Sequence, residues 1–267
     1  MGSLRIFLDS SALKLAVQRR IVGRPRQKTV NWGGQTIVAD VVQFTTEDPT
    51  ADCHPTQRRE ARKLPVIAWL AMQNRIDLLT HPETLWEFFN LPRTDDAFGR
   101  FFGAAVQDVE SPIQYSRVMM GAGLPTSKNL QGEFFASISH ERFEQLKRAT
   151  GAYQGDRPSP VNELADTFHI WCAEAAGADV FLTVDEALVG LVKRHRRYPP
   201  RVQVLLPSEA VQLARDQGLF SIHDYPSYRF FRREHLRGRS NHPLEDWVQF
   251  GRRMEARGEY DGQDGAV

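Results

Sequence analysis

The chain has 267 residues, is 41% hydrophobic and 25% charged, and carries a formal net charge of +1. This is the profile of a soluble globular chain with a real core, long enough for one large domain or two small ones. Its two cysteines, Cys53 and Cys172, exclude a disulfide framework and a zinc-ligand repeat, and no apolar run approaches the ~18–20 residues of a membrane span.

A short apolar run, Leu4–Leu8, reads as the first strand and ends at Asp9. Residues 11–20 read as a short helix or loop, followed by a basic stretch with Arg19, Arg20, Arg24, Arg26 and Lys28. The segments TVNW and QTIVADVV flank Gly33-Gly34, the signature of a hairpin with positive φ in its turn. After a polar loop, residues 57–74 read as helix, split by Pro65 because proline removes a backbone donor. IDLLT reads as a second parallel strand, and Pro82 as the start of a helix carrying Leu85, Phe88 and Phe89 inward with Glu87 on another side. Residues 91–158 carry few readable signals beyond a helix near 140–150 and are taken as a helical insertion.

Residues 158–207 are the most legible. Ser159-Pro160 reads as an N-cap followed by proline at the first helical position. Leu164, Phe168, Trp171 and Ala175 recur at helical spacing as one buried stripe, with Asp166 and His169 together on a different side. Gly177 is a stop signal, ADVFLT a strand, DEALVGLVKRHRR a helix, VQVLLP a further strand and residues 208–217 a closing helix. This rhythm predicts an α/β fold: three α/β/α layers around a mainly parallel sheet. The organisation is a core domain over 1–217 with insertions at about 21–55 and 91–158, then an extension over 218–267 with a frayed tail.

Asp9 and Asp185 stand at strand exits, where open parallel sheets bind ligands. With Glu87 and Asp166 they make an acidic set suited to a hard divalent cation, which takes oxygen ligands. Each also has a plainer reading: Asp9 as a turn residue, Asp166 as an acid in the first turns of a helix, Asp185 as an N-cap. His169 reads more simply as a helix histidine than as a ligand, and the Lys193–Arg197 run as a solvated helix end. The aromatic and arginine mixture YPSYRFFRREHLRGR reads as aromatics docked on the core with arginines in water, and alternatively as a stacking surface for single-stranded RNA.

DSSAL after the first strand, TLWEF after the second and DTFHIWCAEAAGADVFLTVD resemble the PIN domain family of metal-dependent ribonucleases. The likeness covers roughly the first 20 residues, 76–90 and 160–212; the hairpin, the middle segment and the C-terminal 50 residues have no counterpart in a compact PIN domain. The resemblance implies that Asp9, Glu87, Asp166 and Asp185 form an acidic quartet holding Mg²⁺ or Mn²⁺, with Ser11 and Thr183 as hydroxyls beside it. Glu83, one helical turn earlier, could stand in for Glu87. It implies RNA hydrolysis leaving a 5′-phosphate and a 3′-hydroxyl, with the two basic runs near the phosphates. A toxin-like role with a protein inhibitor (an antitoxin) and a homodimer are compatible with it. A PIN-like scaffold that binds RNA or protein without cutting is the competing expectation. A haloacid-dehalogenase-type phosphatase with Asp9 as nucleophile is disfavoured, since Ser11 stands where those enzymes usually carry a second Asp. The N-terminus lacks a basic region before a long apolar run, so no signal peptide and a reducing cytoplasm are expected.

Overall fold

The computed structural model describes residues 3–16, 20–32, 35–47, 50–87, 100–115, 127–155, 157–224 and 227–228. The first strand, β1 (Leu4–Leu8), runs into a short helix, α1 (Ser10–Leu15). A long hairpin follows, β2 (Arg20–Trp32) and β3 (Gln35–Glu47), and then two helices, α2 (Pro55–Ala61) and α3 (Leu64–Met72). Pro65 falls in the first turn of α3, where its missing N–H has no intrahelical partner to lose, so the expected break is where the helix restarts. Next come β4 (Ile76–Thr80), α4 (Pro82–Trp86), two small strands β5 (Arg100–Phe101) and β6 (Ala104–Ala105), and β7 (Gln107–Asp108). Helices α5 (Ser127–Ser137), α6 (Glu141–Thr150) and α7 (Val161–Ala175) precede β8 (Val180–Leu182), α8 (Glu186–Arg194), β9 (Gln203–Leu205) and α9 (Pro207–Asp216).

Five strands form one all-parallel sheet in the order β7-β4-β1-β8-β9. Strand alternation divides the core between its two faces. Leu4, Ile6 and Leu8 of β1, with Ile76, Leu78, Val180 and Leu182, pack on α1, α3 and α9. Phe7, Leu79, Phe181 and Val204 point the other way, into α5, α6, α7 and α8. Phe7 and Phe181 stack across the β1–β8 pair with ring centres 5.8 Å apart. Both faces are therefore covered by helices, which is the expected three-layer α/β/α architecture.

The structure corrects several local expectations. Pro160, not Ser159, occupies the N-cap of α7, and no side chain bonds across that helix start. Ala175 is exposed, because α7 ends with it and the C-cap at Ala176 follows. The buried face of α7 is instead broad: Ala165, Thr167, His169, Ile170, Cys172 and Ala173 are buried along with Leu164, Phe168 and Trp171. Gly177 does stop the helix, with φ of +65°. Helix α4 ends at Trp86, one residue before Glu87, and Phe88 and Phe89 lie outside the described residues.

The middle segment contributes directly to the core. β7 pairs with β4 as an edge strand of the main sheet. Phe134 and Phe135 of α5 and Phe143 of α6 close on Phe168, the Phe135 and Phe168 rings lying 4.8 Å apart. Arg142 of α6 makes a forked ion pair with the buried Glu174 of α7, with N–O distances of 2.9 and 2.6 Å. Beyond α9, Phe220 and Tyr228 are buried, each edge-on to Trp69 of α3. Tyr228 of the basic and aromatic stretch is thus docked on the core, while residues 225–226 and 229–267 lie outside the described residues.

Phe168 is fully buried at the centre of this aromatic group. Replacing it with alanine is expected to lower unfolding free energy by about 3–5 kcal/mol, measured by urea titration with an unchanged slope.

Candidate functional site

The chain leaves β1 onto the face that holds α1 and α3, and leaves β8 onto the opposite face, into α8. The neighbouring carboxyl ends of β1 and β8 therefore open a crevice, the place where open α/β sheets take ligands. Asp9 follows β1 directly, and Thr183 and Asp185 follow β8.

Asp9 is almost fully buried, with 2% of its surface exposed. Its Oδ2 accepts bonds from the Ser11 hydroxyl, from the Thr183 hydroxyl at 2.9 Å and from the Ser11 amide at 3.3 Å. The Ser11 and Thr183 hydroxyls are themselves 3.0 Å apart, and the amides of Val184 and Asp185 donate to them. Ser11 and Thr183 therefore join the first turn of α1 to the loop after β8 through one carboxylate oxygen. Burial pushes the Asp9 pKa up, but His169 together with the Ser11 and Thr183 hydroxyls outweighs it and holds the carboxyl below its ordinary value. The other oxygen, Oδ1, is buried with no hydrogen-bond partner among the described residues.

That oxygen faces His169. The ring is completely buried, with Nδ1 at 3.7 Å from Asp9 Oδ1 and Nε2 at 3.7 Å from Glu87 Oε1. Both distances exceed a hydrogen bond, and neither ring nitrogen has a hydrogen-bond partner among the described residues. A second histidine, His81 at the exit of β4, accepts the Glu83 amide on Nδ1 at 3.1 Å. Burial, with the charge of His169, lowers its pKa to about 4, so His81 is neutral at pH 7.

Asp166 lies one helical turn before His169 and is partly exposed. Its pKa is pushed well above the ordinary carboxylate value, first by burial and then by the charges of Asp9, Glu87 and Asp185, with Lys14 opposing. The other three predicted acids therefore all act on Asp166. Lys14, which the sequence reading did not single out, lies 3.0 Å from Glu87 Oε2 and 3.3 Å from the Ser10 hydroxyl. Its position one turn along α1 was the only sequence signal, since its partner is 73 residues away.

Asp185 also fills its plainer role. Its Oδ1 caps α8 by accepting the amides of Ala187 at 2.8 Å and Leu188 at 3.0 Å. Glu83, the alternative to Glu87, is engaged elsewhere. It is buried, and its carboxylate takes the Tyr115 hydroxyl and the Gln131 amide, each at 3.0 Å. Glu83 thereby ties α4 to the middle segment.

Among the described residues, no three His, Cys, Asp or Glu side chains are gathered closely enough to hold a metal ion as they stand. The donor chemistry nevertheless suits a hard divalent cation. All the candidate ligands are carboxylates, one buried carboxylate oxygen is unpartnered, and burial followed by like charge raises the Asp166 pKa, the second of which a cation would relieve. No family model and no curated protein matches this chain. Among the described residues, no helix is long and apolar enough to cross a membrane.

The two perturbed carboxyls are expected to shift stability in opposite senses when divalent ions are chelated. Asp9 has a depressed folded-state pKa, so its contribution is present at neutral pH and lost as pH falls through that value. Asp166 has a raised one, so stability is lost as pH rises from its unfolded value through its folded value. Asp9→Asn should therefore be less stable than wild type at pH 7. Asp166→Asn should be more stable at pH 8, the gain shrinking toward pH 4. Urea midpoints across that range check both signs.

Proposed function

We propose that this chain is a PIN-like, divalent-metal-dependent ribonuclease that hydrolyses RNA phosphodiester bonds. The observation that carries the reading is the buried Asp9 carboxylate at the ends of β1 and β8, its Oδ1 without a hydrogen-bond partner among the described residues and 3.7 Å from His169, which lies equally far from Glu87. Asp9, Glu87, Asp166 and Asp185 would hold Mg²⁺ or Mn²⁺. Such an ion, when bound, polarises a phosphoryl oxygen and lowers the pKa of water.

The chain's own groups have separable tasks. Ser11 and Thr183 fix the direction of Asp9 by occupying Oδ2, which leaves Oδ1 turned to the His169 side. Hydrogen bonds of this kind orient a ligand and keep it anionic. Asp185 is held by the first amides of α8, whose positive end favours its charge. Lys14 offsets the negative charge beside Glu87. Attack by water on phosphorus with cleavage of the P–O3′ bond, the leaving 3′ oxygen taking up a proton, would give the 5′-phosphate and 3′-hydroxyl that the PIN resemblance implies.

One observation favours a second reading, a scaffold that binds RNA or protein without cutting. Glu87 is paired with Lys14, Asp185 is used as a helix cap and one oxygen of Asp9 is bonded by Ser11 and Thr183, so three of the four acids already have protein partners.

Purified protein is expected to cut a fluorescent RNA only with Mg²⁺ or Mn²⁺ and to lose cutting in Asp9→Asn and Asp166→Asn. Thr183→Val should retain cleavage but weaken it about 10–100-fold, partly recovered at higher metal concentration. RNA binding without cleavage in either metal would favour the scaffold. Calorimetry showing no uptake of either ion removes the nuclease reading.

A further inference from the structure

The β2–β3 hairpin is the largest feature that neither the core nor the acidic crevice uses. Each strand has 13 residues, paired in unbroken antiparallel register from Arg20↔Glu47 to Trp32↔Gln35. At about 3.3 Å per residue the ribbon reaches about 40 Å. Residues 25–29, 35–38, 40 and 42 are exposed, including both the polar and the apolar ones. A two-stranded ribbon with water on both sides is marginal as a structural element, so its length and composition call for another explanation.

Its charge is arranged by the two-residue period of a strand. Arg20, Arg24, Arg26 and Lys28 all occupy even-numbered register positions of β2, opposite Glu47, Gln43, Val41 and Ala39. Asp40 pairs with Gln27, an odd-numbered position, and so belongs to the other face, with Val38 and Val42. Glu47, at the root, is the one acid in register with the basic series. From Arg24 to Lys28 a cation recurs every second residue, a rise of about 6.6 Å per step. That repeat is close to the separation of successive phosphates in an extended nucleic-acid strand. The ribbon also starts eleven residues after Asp9 along the chain, beyond the six-residue α1.

We infer that the even-numbered face of the β2–β3 ribbon is an arm for the phosphate backbone of single-stranded RNA, delivering it toward the acidic crevice. This rests on the RNA-hydrolase reading for its substrate but makes a separate claim about binding. A flat run of cations at strand spacing gives backbone contact without base readout, so the arm should be indifferent to sequence and sensitive to salt.

The test uses the full chain with EDTA, where binding is read without cleavage, and a labelled single-stranded RNA of mixed sequence followed by anisotropy across a salt series. Arg26→Gln with Lys28→Gln removes two charges from the basic face. Gln27→Glu with Thr29→Glu makes the same change in net charge on the other face. The first double variant should weaken binding about tenfold and flatten the salt dependence by about 1–2 in log–log slope. The second should leave the slope as in wild type. Equal losses in both variants, or unchanged binding in the first, overturn the arm. So does wild-type binding to phosphatidylserine vesicles with none to RNA. With Mn²⁺ added, the basic-face variant should show a raised KM and an unchanged kcat. Binding that depends on the basic face without cleavage in any metal supports the arm while removing the hydrolase.

Discussion

A buried carboxylate with one fully bonded oxygen governs how this molecule is put together. Taking Asp9 out of water is unfavourable unless donors replace the lost hydration. They come from Ser11 in the first turn of α1 and from Thr183 on the loop after β8. The same bonds close the sheet's central pair at its carboxyl end, where the Asp9 amide also donates to Leu182 at 3.0 Å. Packing below supports them, with Phe7 and Phe181 stacked on one face and Leu8 and Leu182 buried on the other. Structural cohesion and the acidic site therefore rely on the same few atoms.

What surrounds Asp9 follows from that arrangement. His169 fills the space between Asp9 and Glu87 without a hydrogen bond to either, and Asp166, one turn away on α7, experiences the combined negative charge. Native cores rarely leave buried polar atoms unmatched, and those that are unmatched tend to mark sites completed by something else. Three such atoms lie here, on Asp9 and His169. The neutral His81 adds to the polar surroundings without adding charge.

Much of this was legible in the sequence where physics acts locally. The apolar run LRIFL, the strand–helix–strand rhythm after Gly177, and proline and glycine at helix ends pointed to the parallel sheet, though not to its β7 edge. Asp9 and Asp185 could be placed at strand exits for the same reason. Glu83 and Glu87 could not be told apart, because what separates them is tertiary. Tyr115 and Gln131, 32 and 48 residues further on, bury one of them, and Lys14 pairs with the other. Ala175 fits a helical stripe in spacing yet stays exposed, since periodicity carries no information about where a partner surface stops. Residues 91–158 resisted for a related reason: β7 has only two paired residues, too short for a pattern, and α5 is held by aromatic contacts with α7.

The register of the central strands has a consequence for biosynthesis. β1 is completed on one side by β4, about seventy residues later, but on the other only by β8, where Ile6 meets Val180. The hydroxyl that fixes Asp9 lies 174 residues beyond it in the chain. A nascent polypeptide growing from its N-terminus carries an unfinished sheet edge and a carboxylate without its second clamp until Thr183 has left the ribosome. The acidic crevice is thus withheld until the 174 residues that separate Thr183 from Asp9 have been made, and a fragment released before then would lack it altogether.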